Sequence, residues 1–179
     1  MGAKTGYMQK FEVLRRISSF ISSIDNLQRL LSLIMEESKN ILNAEASSLL
    51  LFDSEEKVLF FEVAEGEKTR GVKKIKLKLG QGIAGTCAKE RKTVNVKDVS
   101  RDKRFFPGAD KKTSFRTRNI LAVPLVRKNK LLGVLEVLNK KGGRCFTAKD
   151  EELMDIIANQ ASICIENTAL YADNIKNAK

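Results

Sequence analysis

Four short apolar runs, taken in pairs, constrain the fold of this chain more than any other feature. Ala46–Asp53 and Val58–Ala64 are separated only by the polar stretch Ser54–Lys57, and Asn119–Val126 and Leu131–Leu138 are joined around Arg127–Lys130. Two apolar runs linked by a short polar connection are the pattern of a β-hairpin. A fifth run, Lys73–Leu79, alternates lysine with isoleucine or leucine from Lys74 onward, which predicts a strand with one buried face and one lysine-covered face. Gly133, inside the last run, marks a point of close backbone approach. Glu136 in the same run either faces solvent or is held by a partner, because burying an unpaired carboxylate is costly.

Helical periodicity frames these strands. From Tyr7 to Asn43 apolar residues recur at helical spacing, with a break expected near Ser22–Asp25, where Asp25 and Gln28 have the spacing of a capping box. The segment before the break has an apolar stripe that packs either on a helix of a second subunit or back on its own domain. Thr147 is placed to cap a final helix whose first turn carries Asp150 and Glu151, as the helix dipole favours. That helix continues through Ile157 and Ile165 to Tyr171, long enough to project beyond the domain.

Between the hairpins lies Leu79-Gly80-Gln81-Gly82-Ile83-Ala84-Gly85, a glycine-rich turn feeding a helix from Ile83 to about Lys92. Gly80 and Gly82 permit positive φ, and the first helical amides point outward without intrahelical acceptors. Such a turn is either an anion site or only a tight strand-to-helix connection. Thr93–Val96 is a short apolar piece, and Lys97–Arg118 is long, polar and weakly periodic. Because the latter holds Phe105, Phe106 and Phe115 together with Thr113 and Thr117, it reads as a lid. Hairpin-linked strands with helices gathered at the ends predict an α+β domain, an antiparallel sheet with helices on one face.

Composition narrows the function. The 179 residues suit one domain with a full core, and no apolar run has the length of a membrane span or the layout of a signal peptide. Cys87, Cys145 and Cys164 are widely spaced, which argues against a disulfide framework and for a reducing compartment, the cytoplasm. The chain has no histidine, which excludes His-dependent zinc sites, axial-His haem and Ser-His or Cys-His catalysis. No metal or cofactor is expected. The net charge of +11 is concentrated at Lys68–Lys78, at Arg101–Arg118 and at Arg127, Lys128 and Lys130. It signals either an anionic partner or a solvated basic surface. No recognition helix or RNA-stacking motif accompanies it, so neither nucleic acid nor membrane is the expected partner.

Five motifs in register carry a family resemblance: Gly82-Ile83-Ala84-Gly85, Phe115-Arg116-Thr117-Arg118-Asn119-Ile120-Leu121, Val123-Pro124, Gly133-Val134, and Asn139-Lys140 followed by Phe146 and Asp150-Glu151. Together they resemble a GAF domain, specifically those of cyclic-nucleotide phosphodiesterases and some bacterial adenylyl cyclases. The resemblance covers residues 25–171, leaving residues 1–24 as a helical arm and 172–179 as the end of a connecting helix. It implies a six-stranded antiparallel sheet with helices on one face and a lidded ligand pocket on the other, and a homodimer through the terminal helices. It also implies cyclic AMP or cyclic GMP in the pocket, with occupancy relayed to an output domain and no catalysis by the domain itself.

Carried over by residue, Ser48 would contact the base, and Ile83 and Ala84 would offer amides to the cyclic phosphate. Phe106 would be a lid aromatic, Asp110 would lie near the nucleotide, Thr113 and Thr117 would bond sugar or phosphate, and Glu136 would reach in from the sheet. Asn139, Lys140, Phe146, Asp150 and Glu151 form the family signature, in which Lys140 and Asp150 are expected to pair beneath the pocket without touching ligand. Guanine-selective members carry Phe-Asp on the second strand where this chain has Val63-Ala64 between Glu62 and Glu65, which tilts the expectation slightly toward adenine. Two other roles fit the same family. One is a ligand-free or differently liganded dimerisation module. The other is reduction of free methionine sulfoxide by Cys87 or Cys145, which lack the closely spaced pattern that chemistry needs.

Overall fold

The computed structural model describes residues 27–65 and 75–177, together with Met8 and Arg15. The expected arm over residues 1–24 (apart from those two residues), the break and cap near Asp25, the turn at Gly66–Gly71 and the start of the lysine-rich strand at Lys73 lie outside the described residues. Helix α1 spans Leu27–Ile41, followed by β1 Ala44–Asp53, β2 Val58–Glu65, β3 Lys76–Lys78, α2 Gly82–Glu90 and β4 Val94–Val96. After a 3-10 turn at Val99–Arg101 come α3 Gly108–Thr113, β5 Ile120–Arg127, β6 Lys130–Lys140 and α4 Ala148–Asn177. The six strands form one antiparallel sheet in the order β3-β2-β1-β6-β5-β4.

Both hairpins close by local chemistry. At the first, Asp53 Oδ1 accepts from the backbone N–H of Glu55 (2.8 Å) and Glu56 (2.9 Å), the side-chain turn that aspartate supplies. At the second, Lys128 and Asn129 have φ of 47° and 63°, the two left-handed residues of a type I′ connection. In β6, a Cβ at Gly133 would collide with the carbonyl oxygen of Leu50 on β1, so the close approach read from the sequence is real.

Strand alternation divides the core into two layers. Leu49, Leu121, Val123, Leu125, Leu135 and Val137 point to the back of the sheet, where α1 and α4 cover them. Helix α1 contributes Leu30, Leu31, Ile34 and Met35, and α4 contributes Met154, Ile157, Ala158 and Ala161, each set repeating at helical spacing. The neighbouring residues Leu50, Ile120, Ala122 and Val134 point to the front. There they meet α2 through Ile83, Ala84, Cys87 and Ala88. The two long helices therefore take the back face, and the short glycine-opened helix stands on the front.

Two segments hold more structure than their sequences indicate. Thr93–Val96, read as a short apolar piece, becomes the edge strand β4 paired with β5. Lys97–Arg118, read as irregular, contains the 3-10 turn and α3. Neither β4 nor α3 completes two periods of its hydrophobic pattern, although Pro107 immediately before α3 was an available helix-start signal. No helix among the described residues is long and apolar enough to cross a membrane.

Candidate functional site

The front of the sheet carries a pocket whose walls come from four directions. The floor is the sheet, through Ala46, Ser48, Phe61, Ile120, Glu136 and Leu138. One side is β3 with its approach, through Ile75 and Leu77, and another is the start of α2, through Gly82, Ile83 and Ala84. The remaining wall is the connection between β4 and β5, contributing Phe105, Phe106, Ala109, Asp110, Thr113, Phe115 and Thr117. All eight residues expected to contact ligand line this one pocket.

The floor is set by register. Ser48 on β1 lies opposite Glu136 on β6, and Glu136 also lies opposite Ala122 on β5, so the carboxylate sits on a central strand between two others. Glu136 shares the front-facing parity of Val134, so it cannot reach solvent along the sheet. Burial pushes its carboxyl up to about 7, and the hydrogen bond donated by the Ser48 hydroxyl to Oε2 (2.9 Å) only partly offsets that. A carboxyl so placed changes charge near neutrality and can either donate to or accept from a ligand. The alternatives left open by the sequence are resolved: Glu136 faces inward and is held by one partner.

The start of α2 has the form of an anion cradle. Gly80 and Gly82 have φ of 86° and 72°, and the first intrahelical amide bond runs from Gly85 N to the carbonyl of Gln81 (3.1 Å). The amides of Gly82, Ile83 and Ala84 precede it, the turn in which helical N–H groups lack helical acceptors. The Gln81 side chain makes no cap bond and instead accepts from Lys78 N (3.0 Å).

The hydroxyls on the fourth wall are engaged within the protein. Thr113 Oγ1 donates to Ala109 O (2.9 Å) and accepts from Phe115 N (3.2 Å). Thr117 donates its hydroxyl to Asp110 Oδ1 (2.6 Å) and its backbone N–H to Asp110 Oδ2 (2.8 Å). Phe106 is 41% exposed at the rim, packed beside Gly82 and Gly108.

None of the five signature residues is in the pocket wall. Lys140 Nζ meets Asp150 Oδ1 at 2.5 Å and lies 5.7 Å from the centre of the Phe146 ring. Asp150 Oδ2 accepts from both the N–H (2.7 Å) and the hydroxyl (2.9 Å) of Thr147, whose oxygen in turn accepts from Asp150 N (3.3 Å). The aspartate is thus both an ion-pair partner and half of a capping box. Burial would raise its carboxyl, but the Lys140 ammonium and the Thr147 donors outweigh that and hold it below the usual range. Glu151 accepts from Asn95 Nδ2 (2.7 Å), tying α4 to the edge strand.

Asn139 has a role the sequence did not disclose. Fully buried at φ 57°, it accepts from Arg118 N (2.7 Å) and donates to Arg116 O (2.9 Å) and to Glu45 Oε2 (2.9 Å). The apolar lining residues Phe61, Ile75, Leu77 and Leu138 were also missed, although strand parity alone would have identified them. The cysteines are dispersed: Cys87 is buried in the front layer, Cys164 in the back layer, and Cys145 is exposed on the loop after β6. Burial raises the Cys87 thiol far above its usual range, the opposite of what a nucleophile needs.

Comparison with known proteins agrees with this fold. The chain is 27% identical over 170 residues to a probable 3′,5′-cyclic phosphodiesterase of Caenorhabditis elegans, covering 90% of this chain and 23% of the relative. The chain thus spans about a quarter of that protein's length. Among solved structures, the GAF domain of a phosphoenolpyruvate-protein phosphotransferase from Coxiella burnetii superposes with a TM-score of 0.82 at 20% identity, covering 93% of this chain and 98% of that one. A free methionine-R-sulfoxide reductase from Neisseria meningitidis, in complex with its substrate, superposes with a TM-score of 0.75 at 19% identity, covering 90% and 91%. At those identities the structures speak for the fold alone. The family model described as GAF domain matches residues 26–165, and the chain belongs to the GAF family.

Proposed function

We propose that this domain is a regulatory sensor that binds a cyclic nucleotide in the front pocket, with cyclic AMP preferred over cyclic GMP. The observation that carries the reading is convergence. Eight residues drawn from β1, α2, the β4–β5 connection and β6 meet at one pocket that has a helix start on one side and a titratable carboxyl on its floor. The cyclic phosphate takes the amides of Ile83 and Ala84, where the helix dipole adds to the hydrogen bonds. The purine lies against Phe106, with Ser48 and Glu136 at its polar edge. Thr113, Thr117 and Asp110 flank the sugar. Relay to a cytoplasmic output domain runs through α4, which starts at the Lys140–Asp150 pair, in a dimer formed by the terminal helices.

The test is calorimetric titration of nucleotide-stripped, refolded protein with cyclic AMP and cyclic GMP in parallel. The reading expects one-site heat from at least one, with the tighter binding to cyclic AMP. Folded protein that gives neither heat nor thermal stabilisation with both would leave the domain as a dimerisation module or a sensor of some other ligand.

A further inference from the structure

Residues 108–119 leave the pocket wall and enter the sheet, and they are held at two points. At the sheet end, the buried Asn139 takes Arg118 N, Asn119 N and Arg116 O, a set of bonds fixed to β6. At the pocket end, Asp110 of α3 accepts both the backbone N–H and the hydroxyl of Thr117, in the connection that leads to β5, while Thr113 Oγ1 takes only the nearby Phe115 N. Helix α3 has six residues and fully buries none of them, so helix cooperativity contributes little and its apolar contact is slight. Phe105 and Ala109 rest only partly buried against the front layer. Thr117 itself is 7% exposed and lines the pocket, so without Asp110 its N–H and hydroxyl would lose their protein partner at the pocket wall.

We propose that Asp110 is a positioning residue: a latch that holds α3 closed over the pocket by taking both Thr117 donors, in the empty protein as well as the loaded one. A carboxylate accepting two hydrogen bonds from one residue is a charge-assisted, geometrically specific clasp. Breaking it leaves both Thr117 donors without their protein partner at the pocket wall, and swinging the segment outward lets water satisfy them fully. Opening of this latch is the movement that admits and releases ligand. The ligand part rests on the cyclic-nucleotide reading, whereas the latch is a property of the polypeptide alone.

The test is amide hydrogen exchange on nucleotide-free protein, comparing wild type with Asp110→Ala, Thr117→Val and Thr117→Ser. Asp110→Ala should speed exchange of the amides in residues 108–117 about tenfold or more, with the central strands unchanged. Thr117→Val, which keeps the backbone bond, should give a smaller rise, and Thr117→Ser, which keeps both bonds, should match wild type. Unchanged exchange in folded Asp110→Ala, or a rise shared equally by β1, β5 and β6, would overturn the latch. If Asp110→Ala does not fold, equal exchange in Thr117→Val and Thr117→Ser overturns it. In protein loaded with cyclic AMP, a release rate that does not follow the exchange of residues 108–117 across these variants would separate the latch from ligand exit. Binding of no nucleotide would end the sensor reading while leaving the exchange result to stand or fall separately.

Discussion

The two faces of the sheet are made from alternate residues of the same strands, yet they are built as different materials. Behind the sheet, Leu49, Leu121, Leu125, Leu135 and Val137 meet two long helices in a layer in which hydrocarbon packs against hydrocarbon. In front, the layer of Leu50, Ile120, Ala122 and Val134 is covered by one nine-residue helix and then gives way to Ser48, Thr117 and the buried carboxyl of Glu136. The back gathers the stability on which the front draws. An apolar cavity with an ionisable floor costs free energy, and a sheet braced from behind can carry it.

Adjacent residues on β6 test this contrast most directly. Leu135→Ala, on the back, should lower unfolding stability by about 4 kcal/mol at every pH and leave ligand affinity unchanged. Its measure is the shift in the urea midpoint. Glu136→Gln, one residue on, should act in the opposite direction. As pH rises from the carboxyl's ordinary range to about 7, the native state keeps its proton while the unfolded chain has lost it, so stability falls across that window. Glutamine does not titrate. The variant should therefore match wild type near pH 4 and exceed it by up to about 3 kcal/mol at pH 8, while binding cyclic nucleotide more weakly. A variant no more stable than wild type at pH 8 would mean that Glu136 is not the strained group the geometry makes it.

A smaller effect is expected where the two faces are joined. Lys140→Ala leaves Asp150 without its cation at the start of α4, and should cost about 1–2 kcal/mol near neutrality. Because the Asp150 carboxyl is held low in the folded protein, the stability it contributes is present above the unfolded carboxylate range and lost as pH falls through its folded value. The deficit of the variant should accordingly shrink in acid. A deficit that stays constant from pH 7 to pH 3 would assign the lysine's role to packing on Phe146 instead.

Much of the architecture was legible because local chemistry and tertiary structure agree. The hairpin turns, the left-handed glycines at 80 and 82 and the threonine cap at Thr147 are each decided within a few residues. The site was legible mainly through its motifs, which placed eight residues at one pocket before any coordinate was known. Elements too short to repeat a period twice, β4 and α3, were not legible, since three to six residues carry no pattern that separates strand, helix and loop.

The amino-acid sequence by itself determined the two hairpins, the parity of their strands, the starts of α2 and α4 and the family, because each depends on backbone preference or on patterns along a single element. Only the tertiary structure decided that Glu136 faces the pocket floor beside Ser48, and that Asp110 engages Thr117. Only it made Asn139 a hub joining Glu45, Arg116 and Arg118. Those facts depend on which surfaces exclude water and which distant donors and acceptors are left facing each other. Sequence spacing does not encode such pairings, because they are set by how separate elements pack.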